Sequence, residues 1–212
     1  MDDLFDAEPR EVALAPGAVL LGAFARPLEE TLVAAVRWVA ERAPFRHMAT
    51  PGGRPMSVAM TNCGAWGWVT DRSGYRYDAR DPQSGEPWPP MPDVFADLAE
   101  RAAARAGFPD FAPDACLINR YGPGVRMSLH QDKDERDFDA PIVSVSLGLP
   151  VVFLFGGAQR TDSPRRVALV HGDVVVWGAA SRLRYHGVLP LREGQHPLLG
   201  GYRINLTLRL AA

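Results

Sequence analysis

From residue 115 to its end the chain is a succession of short extended runs separated by turn residues, and this pattern limits the fold more than any other feature. Cys116–Tyr121, Ile142–Leu149, Val151–Phe155, Val167–Val170, Asp173–Trp177, Leu183–Val188 and Arg203–Leu210 each read as a strand. Gly156-Gly157, His171-Gly172 and Arg192-Glu193-Gly194 supply turns between several of them. Many short strands with such turns point to a β-sandwich, a jelly roll or a barrel. Two helices precede them. Pro27 to Arg42 sets Leu28, Leu32, Val36 and Val39 at helical spacing, with acidic Glu29 and Glu30 in the first turn. Asp93 to Ala106 aligns Phe95, Leu98 and Ala102, and Gly107 is placed to end it. Residues 49–92, between the helices, show no long periodic element. Their aromatic residues (Trp66, Trp68, Tyr75, Tyr77, Trp88) predict an ordered cover over the β-core in place of a disordered linker.

A length of 212 residues suits one domain with an ample core. No apolar run approaches the ~18 residues that would span a bilayer. The acidic start, Met1 to Asp6, lacks the basic-then-apolar pattern of a secretory signal, so a cytoplasmic location without membrane attachment is expected. Cys63 and Cys116 stand far apart in sequence and outside any CxxC pattern. Neither a disulfide framework nor a cysteine–zinc site is expected, and a reducing cytosol fits. Lys133 is the single lysine among 23 basic residues, and the formal net charge is −2. That balance argues against wholesale coating of nucleic acid while leaving room for a local basic patch.

Two of the five histidines stand in an H-x-D pattern, His130-Gln131-Asp132 and His171-Gly172-Asp173. Residues two apart on an extended segment share a face, so such a pair can grip one ion. The second pair sits at the turn opening the Val174–Trp177 run and reads as structural. The first follows Gly122-Pro123-Gly124 among polar residues and has no packing reason to exist. His186, at the end of a strand, completes it best, giving the two-His, one-carboxylate set that suits non-haem iron(II) with open positions. His47 and His196 are expected at the surface.

The last strand alternates without interruption. Ile204, Leu206, Leu208 and Leu210 make an apolar face, while Arg203, Asn205, Thr207 and Arg209 make the other. Alternation by itself is equally met by a surface strand with a solvated side. Beside a metal site, however, two arginines and an asparagine make a receptor for a dicarboxylate.

These residues resemble the iron(II)/2-oxoglutarate-dependent dioxygenases of the AlkB type and look close to the bacterial members. The resemblance runs through Pro51-Gly52-Gly53, Met56 to Gly64, Asn119-Arg120-Tyr121, Ser128 to Glu135, Pro141 to Gly148 and His171 to Gly178, and so covers nearly the whole chain. Arg126 stands where a lysine is usual, and the Gln159–Arg166 loop diverges. The family implies a mainly β fold with flanking helices, built as a double-stranded β-helix (jelly-roll) core with an N-terminal nucleotide-recognition lid. Laid on this chain, a single catalytic domain would comprise a helical extension over about residues 1–48, the lid over about 49–92 and the core over about 93–212.

The resemblance implies His130, Asp132 and His186 as iron(II) ligands. Asn119, Tyr121, Arg203, Asn205 and Arg209 would contact 2-oxoglutarate, with Arg203 on the distal carboxylate. Trp68, Tyr75, Met60, Asp134 and Arg160 would hold the substrate base, and Thr50, Arg126, Ser128 and Lys133 its phosphates. The implied reaction consumes O₂ and 2-oxoglutarate, hydroxylates a methyl on a base nitrogen, and releases formaldehyde, succinate and CO₂. Substrates would be N1-methyladenine and N3-methylcytosine in single-stranded DNA, with duplex DNA and RNA besides, acted on by a monomer. Two alternatives stand beside this one: a hydroxylase of the same superfamily acting on a protein or small molecule, and a non-enzymatic cupin-like metal-binding module. The Arg/Asn strand counts against the second, which has no need of a dicarboxylate receptor.

Overall fold

A computed structural model describes residues 10–212. The acidic Met1–Asp6 run lies outside the described residues. Among the described residues thirteen strands form three antiparallel sheets. In chain order they are β1 (Arg10–Ala15), β2 (Ala18–Gly22), β3 (Ala59–Gly64), β4 (Gly67–Asp71), β5 (Gly74–Asp78), β6 (Ala115–Tyr121), β7 (Met127–His130), β8 (Ile142–Gly148), β9 (Val151–Phe155), β10 (Arg165–Leu169), β11 (Val174–Trp177), β12 (His186–Val188) and β13 (Arg203–Arg209). The major sheet has the order β1-β2-β11-β8-β13-β6-β3, the minor sheet β10-β9-β12-β7, and β4-β5 is a separate hairpin. The two larger sheets make the expected jelly roll.

Side-chain alternation assigns each face of the major sheet. Ile118, Val143, Val145, Leu147, Val174, Val176, Ile204, Leu206 and Leu208 meet helices α1 (Glu29–Arg42) and α2 (Asp93–Arg105) in one core. Leu32, Val36 and Val39 of α1 and Phe95, Leu98 and Ala102 of α2 are the helical side of that contact. The opposite face, with Leu117, Tyr121, Val175 and Trp177, packs on Phe153, Phe155 and Val188 of the minor sheet. Arg203, Asn205, Thr207 and Arg209 point the same way and are buried between the sheets. The solvated-strand reading is thereby excluded.

The order of helices first and strands later is corrected. The N-terminal segment expected to be a helical extension also holds the β1–β2 hairpin, which joins the major sheet through β2 and β11. Residues 49–92 contain β3, β4 and β5. Strand β3 escaped notice because its centre is polar yet buried. The Thr61 hydroxyl donates to the Ala43 carbonyl at 2.6 Å, and Asn62 exchanges two hydrogen bonds with the Trp68 backbone at 3.0 Å. The strand expected over Leu183–Val188 shortens to β12, because a 3₁₀ turn at Ala179–Ser181 and the turn after it occupy the approach. Cys63 and Cys116 are directly opposed across β3 and β6 as buried free thiols. No helix among the described residues is long and apolar enough to cross a membrane.

The second H-x-D pair is structural. Asp173 accepts the Ala23 and Val170 backbone N–H groups at 3.0 Å each, and His171 Nδ1 accepts the Gly148 N–H at 2.8 Å. A ring nitrogen that accepts carries no proton, so His171 donates from Nε2 to Glu29 at 2.9 Å. His47 is exposed, as expected. His196 is not: it is only 4% exposed and lies stacked on His171, ring centroids 4.4 Å apart. Burial, and then the neighbouring His171, push the His196 pKa down from 6.5 to about 4. Glu29 opposes that shift and Arg26 adds to it. The unfolded chain therefore binds this proton more tightly, and stability that is full above about pH 6.5 falls as the pH drops toward 4. The loss attributable to His196 has a ceiling of roughly 3 kcal/mol. Thermal midpoints at pH 7.5 and pH 5 are expected to differ less in His196→Gln than in the unaltered chain.

Candidate metal centre and cavity

The register of two short strands brings the first H-x-D pair to its partner. In the β7–β12 ladder His186 is directly opposite His130. Gly187 permits the close approach, since a Cβ there would lie 2.8 Å from the Met127 carbonyl oxygen. His130 Nδ1 donates to the Ser128 carbonyl at 2.8 Å and His186 Nδ1 to the Arg184 carbonyl at 3.0 Å. A carbonyl only accepts, so both protons sit on Nδ1 and both Nε2 lone pairs are free. Each Nε2 lies 3.6 Å from an Asp132 carboxylate oxygen, and one ligand atom from each residue falls within 4.8 Å of the others. Backbone-anchored histidines of fixed tautomer, with one carboxylate, make a site that fits a divalent metal.

The electrostatics keep the set ready to ligate. Burial, then His186, lower the His130 pKa to about 4. Its ring is 39% exposed, but that open edge lines a cavity. Burial alone would raise the Asp132 carboxyl; Arg209 and then His186 outweigh it and hold it well below its usual range. Arg209 donates to Asp132 Oδ2 at 2.6 Å. Behind it lies a buried network that sequence reading missed. Arg182 donates to the Asp132 carbonyl at 2.8 Å and to Glu135 at 3.0 Å, and Glu135 also accepts the Tyr77 hydroxyl at 2.7 Å. Tyr77 is on β5, so the hairpin is tied directly to the carboxylate's support. The only sequence signal for this was Glu135 inside an otherwise solvated charge run.

The cavity above the three residues has a volume of about 580 Å³. Its floor is the polar face of β13 with Asn119 and Tyr121. Arg203 is 2% exposed and donates to Ser146 at 3.0 Å, while its Nε and Nη1 have no hydrogen-bond partner; Asn119 Oδ1 and Trp177 Nε1 are also unpartnered. Burial lowers the Arg203 pKa. Buried donors without acceptors are costly and rare. The unpartnered donors here, Arg203 Nε and Nη1 and Trp177 Nε1, belong to residues lining one cavity beside a metal-ligand set, which fits an anionic ligand, and the fork of Arg203 fits a carboxylate. Asn205 is already bonded to Ser144 and Val145, and it accepts the Thr207 hydroxyl at 3.1 Å. Ser144 and Ser146, alternating along β8, were a legible but unread sign of this polar floor.

The β4–β5 hairpin forms one wall. Trp68 and Tyr75 stack with centroids 5.7 Å apart at 22°, and Trp68 Nε1 donates to Asp134 Oδ2 at 2.8 Å. Met60, Arg160, Arg126, Ser128 and Lys133 also line the cavity, the last four of them exposed. Thr50 does not: it lies outside the lining, its hydroxyl accepting the Arg54 N–H within a turn. Every other residue that the resemblance assigns to the iron, 2-oxoglutarate or substrate lines this one cavity.

Comparison with known proteins agrees with this geometry. The model of the 2OG-Fe(II) oxygenase superfamily matches residues 17–209. The chain is 60% identical to the alpha-ketoglutarate-dependent dioxygenase AlkB of Escherichia coli over 212 residues, covering 100% of this chain and 98% of that protein. It is 34% identical to the human nucleic acid dioxygenase ALKBH1 over 131 residues, 60% of this chain and 33% of that protein. The solved structure of OsALKBH1 superimposes with a TM-score of 0.82 at 27% identity, covering 95% of this chain and 100% of that one.

Proposed function

Since the chain belongs to the 2OG-Fe(II) oxygenase superfamily and is an iron(II)/2-oxoglutarate-dependent dioxygenase, we propose that it removes alkyl groups from nucleic-acid bases. The observation that carries this reading is the joining, in one cavity, of the His130–Asp132–His186 set, the half-unpaired buried Arg203 and the stacked Trp68–Tyr75 wall. Relatives named as acting on nucleic acid support it.

When bound, iron(II) with 2-oxoglutarate and O₂ supplies an oxidant that hydroxylates a C–H bond while 2-oxoglutarate becomes succinate and CO₂. His130, Asp132 and His186 would hold the iron. Arg203 would take the distal carboxylate of 2-oxoglutarate, with Asn119, Tyr121, Asn205 and Arg209 completing its cradle. Arg209 also fixes the Asp132 carboxylate from behind. Trp68 and Tyr75 would offer the base their stacked wall, with Met60 and Arg160 at its edge. A base can enter such a cavity only when unstacked, which favours single-stranded DNA and RNA over an intact duplex. The exposed cations Arg126 and Lys133, with Ser128, would meet phosphates at the mouth. Thr50 would touch the strand only beyond the cavity. One chain supplies every residue of the site, in keeping with a monomer. The opposed free thiols of Cys63 and Cys116 fit a reducing cytoplasm.

Asp134 would select the damaged base. Methylation at N1 of adenine or N3 of cytosine makes the base cationic, and the exposed Asp134 carboxylate at the cavity wall attracts it more strongly once the bound base displaces water from between them. Asparagine keeps an oxygen to accept the Trp68 N–H and removes only the charge. Asp134→Asn is expected to slow demethylation of N1-methyladenine at least tenfold, about 1.4 kcal/mol. Neutral N3-methylthymine should be affected much less. Equal losses on both would assign Asp134 to holding the lid alone. The function itself is tested by succinate release, expected to rise with methylated single-stranded DNA and not with unmethylated DNA or peptides. Release indifferent to the methylated strand would refute it.

A further inference from the structure

A second cavity, of about 320 Å³, adjoins the first, and the two have Tyr75 and Asp134 as a common wall. Trp66, Arg76, Tyr77, Arg136, Ala211 and Ala212 complete it. Its volume lies at the lower end of the range for small-ligand sites, enough for one nucleotide. Trp66 is half-buried, and its indole N–H makes no hydrogen bond among the described residues. Arg136 is exposed, and its guanidinium has no ion-pair partner among the described residues. Arg76, by contrast, is held by Asp71 and Asp78 and contributes a planar wall with little free charge. An aromatic face beside one uncommitted cation is the pairing that single-stranded nucleic acid uses, base on ring and phosphate on arginine.

Building on the nucleic-acid reading above, we infer that this cavity holds the nucleotide next to the target base on the same strand. Its base lies against Trp66 and its phosphate meets Arg136. Consecutive nucleotides are joined by a single phosphodiester, so two cavities divided by one tyrosine fit neighbours and not distant positions. Tyr75, 50% exposed and stacked on Trp68, presents its free edge at the crossing between them. The site would accept any base, since stacking reads no hydrogen-bonding edge.

The test is binding under anaerobic conditions to the chain loaded with iron(II) and 2-oxoglutarate, read by fluorescence anisotropy. The probe is a single-stranded heptanucleotide with central N1-methyladenine, compared with versions abasic on the 5′ or the 3′ side of the lesion. One abasic probe is expected to bind about fivefold or more weakly than the intact one. Trp66→Ala should bind the intact probe as weakly as the unaltered chain binds that abasic probe, with no discrimination left between them. Arg136→Ala should lower the slope of log affinity against log salt by about 0.7, the loss of one single-strand phosphate contact. Discrimination persisting in Trp66→Ala, or an unchanged slope in Arg136→Ala, overturns the inference. Arg136 is exposed, so its variant decides the question alone if Trp66→Ala does not fold. Failure of the unaltered chain to prefer the methylated over the unmethylated heptanucleotide would instead refute the function beneath it.

Discussion

His186→Ala is expected to abolish turnover and to lower iron(II) affinity by at least about 100-fold, more than loss of an outer-sphere partner typically costs. The imidazole is held by its Nδ1–H on the Arg184 carbonyl, and its Nε2 lone pair points toward Asp132 and His130. Alanine removes that donor while leaving the β7–β12 ladder, a backbone feature, in place. Asp132→Ala should lose iron equally and, in addition, strip Arg209 of its 2.6 Å partner. Metal content after desalting, measured alongside demethylation, checks both variants. His171→Ala is the control: its ring bonds Gly148 and Glu29, so stability should fall while iron is retained. Iron-dependent activity surviving in His186→Ala would overturn the ligand assignment.

The second large effect belongs to Arg203. Its guanidinium is buried, and its Nε and Nη1 lack partners until an anion arrives. Truncating one side of a buried charge pair costs about 2–5 kcal/mol, so Arg203→Ala should weaken 2-oxoglutarate binding roughly 30- to 5,000-fold. Calorimetric titration with iron present reads this directly. The effect on the ligand-free chain should have the opposite sign. An uncompensated buried charge is removed, and Arg203→Met, which refills the volume, is expected to melt no lower than the unaltered chain. Unchanged 2-oxoglutarate affinity in Arg203→Ala would mean that the polar face of β13 serves only the fold.

What could be read in the chain and what could not divide along physical lines. Period-two alternation in β13 announced both of its faces, because an antiparallel sheet buried on one side by helices and on the other by a polar cavity still keeps that period. The H-x-D pairs were separable because Asp173 opens a strand after Gly172 whereas Asp132 lies among the polar residues Ser128, Gln131, Lys133 and Asp134. Strand β3 was hidden because Thr61 and Asn62 are buried with their hydrogen bonds satisfied from Ala43 and Trp68, contacts no local pattern encodes. His196 was misplaced for a like reason: its burial comes from stacking on His171, distant in sequence. The Tyr77–Glu135–Arg182 network joins three separate segments, and pairings of that kind carry no spacing signal. Cys63 and Cys116 repeat the lesson, far apart along the chain and face to face across two strands.

The central claim is that this cavity strips a methyl group from a nucleic-acid base, and mass spectrometry of the strand itself tests it most directly. A single-stranded oligonucleotide carrying one N1-methyladenine is incubated with the chain, iron(II), 2-oxoglutarate and air. The account predicts a loss of one methylene in mass, with formaldehyde and succinate formed in equal amounts, and no loss when 2-oxoglutarate is withheld. An oligonucleotide of unchanged mass, beside an enzyme that binds iron and 2-oxoglutarate normally, would contradict it.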